Sequence, residues 1–339
     1  MMRNKNQYCF SFLALFFYKS RAHTLLAIFL ALTLTSCASK PPQIHIPVVE
    51  PTPPPPPKSI EVALILGAGG SRALAHLGVL EVLEEEGIPI DLIVGCSAGS
   101  LIGALYADNP NAAAIKNKII NLKRKDLIDP CFSSLLMTPI RVTGPVQGHA
   151  LESFMVKELK AKNFEDLKIP LIAVATNINN NQVVLLRSGP IAPAVHASSA
   201  LPPIFSPVNL YNQTLVDGGV ISPVPVHVAK GYNPKLTIAV DISTPPAKDP
   251  MSNAFDLAYR SLHISFYELS RTQSRTADIF IHPNLTGYGT FDDESNLQLY
   301  EKGKATARAA IQDIKKALAA KGIKLRRPTT ASNKGNYNN

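Results

Sequence analysis

The stretch that decides the fold is Asp91-Leu92-Ile93-Val94-Gly95-Cys96-Ser97-Ala98-Gly99-Ser100. Its apolar first half has the length of a buried strand, and small residues that suit a closely packed helix follow Ser97. A strand, a sharp turn and a helix are the context that a G-x-S-x-G nucleophile elbow requires. Gly95 and Gly99 allow the turn to close, and the positive end of the helix would face negative charge that develops beside the serine. We therefore predict that Ser97 is a nucleophile.

A glycine-rich loop lies upstream of this stretch. Residues 60–66 form an apolar run of strand length, the loop 67–72 follows, and leucines then recur every third residue, which is typical of a helix. A dinucleotide-binding loop would have a glycine where this chain has Arg72, and an acidic residue where the second strand ends at Ser97. The loop therefore does not predict nucleotide binding.

The same loop suits an oxyanion hole. Glycines let backbone N–H groups converge on one point, where they stabilise the oxyanion of an acyl-transfer reaction. The residues predicted to form the hole are Gly69, Gly70 and Ser71. Arg72 could either orient the loop or bind a phosphate group of the substrate, and the sequence leaves both roles open.

Ser97 needs a base, and the clearest candidate is an aspartate. None of the eight histidines stands in a pattern that marks it as catalytic. Asp217 ends an apolar run, precedes Gly218 and Gly219, and is followed by the rigid Ser-Pro-Val-Pro at 222–225. An aspartate in such a place is often only a turn residue, but this carboxylate would be presented much as the serine is. We predict that it is the second reactive side chain.

Strands and helices alternate along the rest of the chain. Apolar runs at 171–175, 182–187, 236–241 and 278–282 predict strands, and the patterns at 111–125, 253–275 and 295–320 predict helices. This alternation predicts an α/β fold with a mostly parallel sheet. The apolar segment 130–140 could pack in the core or form a lid that dips into lipid.

The N-terminal segment has the pattern of an export signal. Basic residues precede a 12-residue apolar run at 24–35, which is too short to span a bilayer and suits a signal peptide. The run ends in Leu34-Thr35-Ser36-Cys37, which resembles the lipobox of bacterial lipoproteins. The resemblance implies that Cys37 becomes a lipidated first residue, with acyl chains such as palmitate. A second apolar run at 9–18 keeps an uncleaved signal anchor open as the alternative.

Two further features concern the anchor and its surroundings. The proline-rich segment 41–57 predicts a polyproline II spacer between the lipid and the folded domain. Ala38 lacks the aspartate retention signal, which favours the outer membrane, with the protein facing the periplasm. Cys9 falls in the signal and Cys37 carries lipid in this interpretation, so only Cys96 and Cys131 remain and we expect no structural disulfide.

The net charge of +9 is concentrated at the two ends of the chain. Residues 1–37 carry four basic side chains and residues 321–339 carry five, with no acidic side chain in either segment, so the part between them is neutral. A nucleic-acid-binding surface needs basic charge on the folded domain. The charge distribution therefore indicates no nucleic-acid partner.

Five sequence blocks resemble, in order, those of the patatin-like phospholipases. The blocks are the glycine-rich loop with Arg72, Ala75-His76-Leu77-Gly78, Gly95-Cys96-Ser97-Ala98-Gly99, Ala197-Ser198-Ser199-Ala200-Leu201-Pro202 and Asp217-Gly218-Gly219. The resemblance covers residues 60–228 and implies a three-layer α/β/α fold, to which the helical patterns after residue 228 add extra C-terminal helices. It also implies a phospholipase A-like or lysophospholipase-like hydrolysis of membrane lipids without metal or cofactor. In that reaction Ser97 is the nucleophile and Asp217 the proton acceptor.

The chain departs from the family pattern at a few positions. Alanines at 68 and 73 replace the outer glycines of the loop, Ser222 stands where the family often has asparagine, and no family motif follows residue 228. Two rival interpretations stay open. One is a Ser-His-Asp triad that uses His227, His263 or His282. The other is a non-catalytic envelope lipoprotein that binds lipid or an unidentified protein partner.

The predicted organisation has five parts. They are a lipoprotein signal peptide (1–36), a lipidated cysteine with a proline-rich linker (37–58), an acyl hydrolase core (59–230), C-terminal strands and helices that complete the domain (231–325) and a basic polar tail (326–339).

Overall fold

The computed structural model describes residues 42, 44, 46–57, 59–131, 144–246, 250–290, 292 and 294–326. The expected signal peptide, Cys37, nearly all of the basic tail and most of the apolar segment 130–140 lie outside these residues. Within the described ranges, no helix has both the length and the apolar character needed to cross a membrane.

One eight-stranded sheet forms the centre of the fold. Its strands are β1 (Val62–Leu66), β2 (Leu92–Cys96), β3 (Leu171–Asn177), β4 (Gln182–Leu186), β5 (Val208–Leu210), β6 (Gln213–Asp217), β7 (Leu236–Val240) and β8 (Ile279–Ile281). Their order is β5-β6-β3-β2-β1-β7-β8. Strand β4 lies outside this order and pairs with the edge of β3 that β2 and β6 leave unpaired. The strands from β3 to β8 along this order are parallel, whereas β4, β5 and β6 pair antiparallel. The predicted α/β fold with a mostly parallel sheet is confirmed.

Helices cover both faces of the sheet. They are α1 (Leu74–Glu85), α2 (Ala98–Asp108), α3 (Ala112–Ile119), α4 (Arg124–Leu127), α5 (His149–Glu158), α6 (Ile191–Ser199), α7 (Val226–Lys230), α8 (Ala254–Ser274) and α9 (Asn296–Ala320). Successive side chains of β1 show why: Leu64 packs into a core with α1, α2 and α9, whereas Ile65 packs on the opposite face with α7. Both faces are therefore buried, which gives the three layers.

The C-terminal part of the chain belongs to the same sheet and helix layer. Strand β7 pairs with β1 at the centre of the sheet. Helix α9 lies so close to α1 that a Cβ on Gly303 would come within 2.0 Å of the Ala75 carbonyl oxygen. Ion pairs also join the two helices, including Arg308 to Glu85 at 2.7 Å.

The predicted helix 111–125 is wrong, because the chain forms two shorter helices there. Helix α3 ends at Ile119, and the side-chain amide of Asn296 donates to the carbonyl oxygens of Ile120 (2.9 Å) and Leu122 (3.0 Å). A partner from a distant helix thus satisfies carbonyl groups that a continuous helix would have bonded itself. Helices α5 and α6 were not predicted.

Two further observations concern the linker and the cysteines. The Ser188 hydroxyl lies 2.8 Å from the carbonyl oxygen of Pro51 and 3.0 Å from the Glu50 carboxylate, so this part of the proline-rich segment rests on the domain. Cys131 is disulfide-bonded, whereas Cys96 is a buried free thiol. The expectation of no structural disulfide is therefore wrong for Cys131.

Candidate active site

Two strands meet end to end and bring the predicted reactive residues together. Strands β2 and β6 lie on the same edge of β3. All of β4 pairs with the other edge of β3, over a range that overlaps the residues paired with β2 and the residues paired with β6. Cys96, the last residue of β2, lies opposite Val174, and Asp217, the last residue of β6, lies opposite the next residue, Ala175. Ser97 follows β2 directly, so the serine and the aspartate face each other where the two strands end.

The backbone at Ser97 is held in an uncommon conformation. Its φ is 52° and its ψ is −121°, a region that non-glycine residues rarely occupy and that costs about 1–3 kcal/mol. Its N–H donates to the Ser198 hydroxyl at 2.9 Å, and that hydroxyl donates in turn to the Val174 carbonyl oxygen at 2.6 Å. Its own carbonyl oxygen accepts from the Ser100 hydroxyl at 2.7 Å. These bonds stabilise the turn that raises the serine side chain.

The two glycines of the elbow are required by close backbone contacts. A Cβ on Gly99 would lie 1.9 Å from the carbonyl oxygen of Leu66, and one on Gly95 would lie 2.6 Å from the carbonyl oxygen of Gly99. The first turn of α2 therefore packs directly against the end of β1. This contact places the N-terminal end of an 11-residue buried helix behind Ser97.

Asp217 is almost completely buried, with 1% of its surface exposed. Its Oδ1 accepts from the Gly219 N–H at 2.7 Å and lies 3.8 Å from the Cys96 sulfur. Burial raises the pKa of the Asp217 carboxyl to about 6, although interactions with the Ser97 hydroxyl and these two donors act in the opposite direction. Burial also raises the pKa of the Cys96 thiol, which therefore stays a neutral donor. A carboxylate with a pKa near 6 can accept a proton at neutral pH.

The turn after Asp217 also requires glycines. A Cβ on Gly218 would lie 2.2 Å from the Val174 carbonyl oxygen, and one on Gly219 would lie 2.0 Å from the ring of Phe266 in α8. The turn is therefore packed between β3 and α8, which fixes the position of the carboxyl group.

The glycine-rich loop lies beside Ser97, but its predicted donors are not equivalent. Gly69, Gly70 and Ser97 line the same pocket. The Ser71 N–H already donates to the carbonyl oxygen of Thr290 at 2.8 Å, so the prediction that it serves the oxyanion hole is wrong for this conformation. Gly69 and Gly70 remain the candidate N–H donors of the oxyanion hole.

Arg72 contacts the protein rather than open solvent, with 2% of its surface exposed. Its Nε donates to the Gly69 carbonyl oxygen at 3.1 Å, and its Nη1 donates to the Thr244 hydroxyl at 2.6 Å and to the Tyr288 carbonyl oxygen at 3.3 Å. Burial lowers its pKa to about 10. Of the two roles left open by the sequence, these contacts favour the orientation of the loop.

A large pocket opens in front of these residues. It contains about 1240 Å³ of empty space, open solvent at its mouth included. Apolar side chains such as Leu101, Ile102, Phe205 and Leu262 line most of it, and Ser97 and Asp217 lie in its wall. An apolar cavity with a few polar groups at one place suits an acyl chain attached to a reactive ester.

The contacts of the histidines do not match those of a Ser-His-Asp triad, in which a histidine bonds the reactive serine. His263 is the histidine that lines this pocket, and burial lowers its pKa to about 4. His76 is fully buried, with Nε2 2.7 Å from the Gly67 carbonyl oxygen, and His282 contacts the Asp241 carbonyl oxygen at 2.9 Å. In the part of the chain that the structure describes, no three His, Cys, Asp or Glu side chains form a group that could hold a metal ion.

Sequence reasoning missed two parts of this site. Ser198 was part of a recognised block, but nothing in the pattern showed that its hydroxyl holds the Ser97 N–H. The pocket wall from α8 was also missed, although its side chains at Tyr259, Leu262 and Phe266 recur at helical spacing. That spacing was the one signal that could have found it.

Comparisons with known proteins agree with the sequence resemblance. A family model described as patatin-like phospholipase matches residues 64–230. Lysophospholipase NTE1 of Debaryomyces hansenii is 28% identical over 272 residues, which are 73% of this chain and 18% of that protein. Patatin-like phospholipase domain-containing protein 6 of Mus musculus is 33% identical over 196 residues, 56% of this chain and 14% of that protein. The solved structure of VipD from Legionella pneumophila superposes with a TM-score of 0.49 and 14% identity, over 84% of this chain and 72% of that one.

The chain spans 18% and 14% of the lengths of these two curated relatives, so the likeness covers a small part of each. The match to the family model covers β1 to α7 here, which includes the elbow and Asp217. The match supports lipid hydrolysis as a general class of activity. Residues 64–230 of this chain form a domain of the patatin-like phospholipase family.

Proposed function

We propose that this protein is a serine hydrolase of lipid acyl esters that works with a Ser97–Asp217 dyad. The observation that carries the proposal is the meeting of β2 and β6 on one edge of β3, which sets Ser97 against a buried carboxyl group beside an apolar pocket. The family supports the general class, and the geometry supports these two residues as the reactive pair.

The first half of the reaction forms an acyl-enzyme. The Ser97 oxygen attacks the ester carbonyl carbon while Asp217 accepts the serine proton. The carbonyl oxygen becomes an oxyanion, stabilised by the N–H groups of Gly69 and Gly70 and by the N-terminal end of α2. When the tetrahedral intermediate collapses, the C–O bond to the alcohol breaks and Asp217 returns the proton to the leaving oxygen.

The second half repeats this chemistry with water. Asp217 accepts a proton from water as the water oxygen attacks the acyl carbon. The bond to Ser97 then breaks, the serine oxygen regains the proton, and the fatty acid leaves. No metal or cofactor takes part in these steps. The raised pKa of Asp217 suits both halves, since the group must accept and return a proton at nearly the same pH.

The proposed substrate is a membrane lipid with at least one acyl ester, such as a phospholipid or a lysophospholipid. The apolar pocket supports this choice because it can bury an acyl chain next to Ser97. The name lysophospholipase belongs to one of the relatives and is extended to this chain as part of the proposal.

The test is the reaction of the full chain with a fluorophosphonate probe and with phospholipid vesicles. Ser97→Ala should lose both covalent labelling and fatty-acid release, whereas Ser261→Ala, a change at an exposed serine of α8, should keep both. Turnover by the Ser97→Ala variant would contradict the proposed nucleophile. A wild-type chain that binds vesicles but neither labels nor releases fatty acid would support the non-catalytic alternative.

We also propose that the chain is anchored by lipid at Cys37 to a bacterial envelope membrane, with the outer membrane facing the periplasm as the expected location; a thioether at Cys37 excludes this cysteine as the disulfide partner of Cys131. The support is the basic segment, the apolar run and the lipobox-like end before Cys37. Cells grown with an alkyne analogue of palmitate should label the wild-type chain and not Cys37→Ala, and membrane fractionation should show the location. No label in the wild-type chain, or label of equal intensity in both chains, would contradict lipid at this cysteine.

A further inference from the structure

A buried thiol lies beside the proposed base. Cys96, the residue before Ser97, ends β2, and its side chain is fully buried. Its sulfur lies 3.8 Å from Oδ1 of Asp217. The mechanism proposed above gives this thiol no role, although it contacts the carboxyl group directly.

The turn that carries Asp217 fixes the position of the sulfur. A Cβ on Gly218 would come within 3.0 Å of the Cys96 sulfur, so a glycine at that position makes room for it. Ala68 of the glycine-rich loop and Phe266 of α8 pack with Cys96 in one buried cluster. The thiol is therefore enclosed between the base, the loop and α8, where a hydrogen bond is electrostatically stronger than in water.

Two donors from different parts of the chain meet the same oxygen of the carboxyl group. Oδ1 accepts from the Gly219 N–H at 2.7 Å and also faces the thiol. Gly219 belongs to the turn after β6, whereas Cys96 belongs to the end of β2. The carboxyl group is therefore held from both strands of the site.

The thiol keeps its hydrogen when the carboxyl group ionises. Burial raises the pKa of the Cys96 thiol well above its usual value, and the charge of Asp217 acts in the same direction. A neutral donor to the charged form of a carboxyl group lowers the pKa of that group. The thiol thus opposes the effect of burial, which raises the pKa of Asp217 to about 6.

Charged and titratable side chains around the pocket do not replace this contact. Those that line the pocket with Asp217 are Arg72, Lys123, Arg124, Tyr259 and His263, and α6 adds His196, which lies 2.7 Å from the Glu152 carboxylate. Strand β3 has no titratable side chain between residues 171 and 177. Within the described chain, the groups that act on the pKa of Asp217 besides burial are the Ser97 hydroxyl, the Gly219 N–H and the Cys96 thiol.

We propose that Cys96 is a positioning residue of the dyad. Its S–H donates to Oδ1 of the ionised Asp217, and this bond and the Gly219 N–H leave Oδ2 to take the serine proton. A thiol is a weak donor, so it favours the ionised carboxylate and still leaves a base strong enough to accept a proton at neutral pH. The effect on turnover rests on the proposed function, whereas the contact of thiol and carboxylate does not.

The first test is the pH dependence of kcat/KM of the full chain with p-nitrophenyl butyrate. Cys96→Ala removes the donor, so the midpoint of the rise should move up by about half a pH unit. Turnover should then fall about threefold at pH 5 and stay nearly unchanged at pH 8. Cys96→Ser keeps a donor, and a hydroxyl donates more strongly than a thiol, so its midpoint should stay at the wild-type value or move down.

The control for this test is Val94→Ala. Val94 is fully buried, lies two residues before Cys96 in β2 and belongs to a different buried cluster. The change removes buried volume from the same strand and leaves the thiol in place. It should lower the stability of the protein and keep the wild-type midpoint.

The second test needs no turnover. Infrared spectroscopy of the full chain without substrate reports the S–H stretching vibration, and the difference between wild type and Cys96→Ser assigns the band of Cys96. Donation to a charged acceptor weakens the S–H bond, so the band should move to lower frequency as the pH rises through about 6. In Asp217→Asn the band should stay constant over the same range.

The two tests together separate this proposal from the proposed function. Equal midpoints in wild type, Cys96→Ala and Cys96→Ser would overturn the role of the thiol, and a lower plateau with an unchanged midpoint would show that it only fills space. An S–H band that ignores pH, or that responds equally in Asp217→Asn, would overturn the contact itself. A band that titrates near pH 6 while turnover follows a different midpoint would support the contact and contradict Asp217 as the base.

Discussion

The hydroxyl of Ser198 accepts the backbone N–H of Ser97 at 2.9 Å. It also donates to the Val174 carbonyl oxygen at 2.6 Å, so one buried side chain joins the elbow to β3. We expect Ser198→Ala to leave the Ser97 N–H without a buried partner, which costs about 1–3 kcal/mol. Turnover should fall as well, because the elbow conformation loses a support.

Ser188→Ala is the matched control for this prediction. It also removes hydrogen bonds of a buried serine, to Glu50 and Pro51, but away from the elbow. Chemical denaturation should show a loss of stability in both variants, and ester turnover should fall only in Ser198→Ala. An equal fall in both would contradict a specific role for Ser198.

The buried carboxyl group of Asp217 predicts opposite effects of pH on activity and stability. Its pKa is raised to about 6 in the folded protein, from an ordinary value near 4. The proposed base must be ionised, so kcat/KM should rise with pH and level off above about pH 6. Asp217→Asn should remove this activity.

The raised pKa of Asp217 also destabilises the folded protein at neutral pH. A carboxyl group whose pKa is raised on folding costs stability once the pH exceeds the unfolded value, and the full cost is present above about pH 6. Two pKa units correspond to about 3 kcal/mol. Asp217→Asn should therefore unfold at a higher temperature than wild type at pH 8 and at a similar temperature at pH 4. A variant that is less stable than wild type at pH 8 would contradict the buried, charged carboxylate.

Two glycines of α2 should respond differently to alanine. A Cβ on Gly99 would meet the Leu66 carbonyl oxygen at 1.9 Å, and backbone cannot yield easily, so Gly99→Ala should cost about 3 kcal/mol or more. A Cβ on Gly103 would meet side-chain carbons of Ile93 and Leu171, at 3.1 and 3.2 Å, while helix propensity improves by about 1 kcal/mol. Urea unfolding should show little change for Gly103→Ala. Similar losses for the two variants would show that the elbow contact is not the cause.

Arg72→Lys separates loop orientation from phosphate binding. The lysine keeps the charge but loses the guanidinium contacts with Gly69, Thr244 and Tyr288. Displacement of the oxyanion donors should lower kcat about a hundredfold on both a phosphate-free ester and a phospholipid. A rise in KM confined to the phospholipid would instead support contact with a substrate phosphate.

A histidine series separates the dyad from a triad. His227→Asn, His263→Asn and His282→Asn should each keep most of the ester turnover, because Asp217 interacts with the Ser97 hydroxyl directly. A loss of about 10⁶-fold in any one of them, the size seen when a triad histidine is removed, would support the triad.

Local patterns in the sequence predicted the local parts of the site. The apolar run before Ser97, the small residues after it and the glycines beside it fix a strand, a turn and a helix, because each depends on near neighbours. The sheet followed from the alternation of strands and helices. What the pattern could not show was that β2 and β6 end on the same edge of β3, since the two reactive residues are 120 positions apart (217 − 97).

The errors have the same origin. Ser71 looked like an oxyanion donor from its place in the loop, but Thr290, far along the chain, accepts its N–H. The helix at 111–125 looked continuous, but Asn296 satisfies the carbonyl groups at its break. In both cases a partner from the C-terminal part of the chain, which carries no family motif, decides which backbone groups are free.

The proline-rich segment lies on the domain from Ile44, which packs against the core, to Pro51, which contacts Ser188, so only the residues before Ile44 can serve as a tether in the anchored protein that we propose. Between Cys37 and Ile44 there are 7 residue steps (44 − 37), which span about 22 Å as polyproline II at about 3.1 Å per residue. Within that reach, contact of the domain with the membrane becomes an intramolecular event with a local concentration in the millimolar range. A surface too weak to hold a free protein on a vesicle would then be occupied most of the time, so mature tethered enzyme needs little intrinsic affinity for lipid.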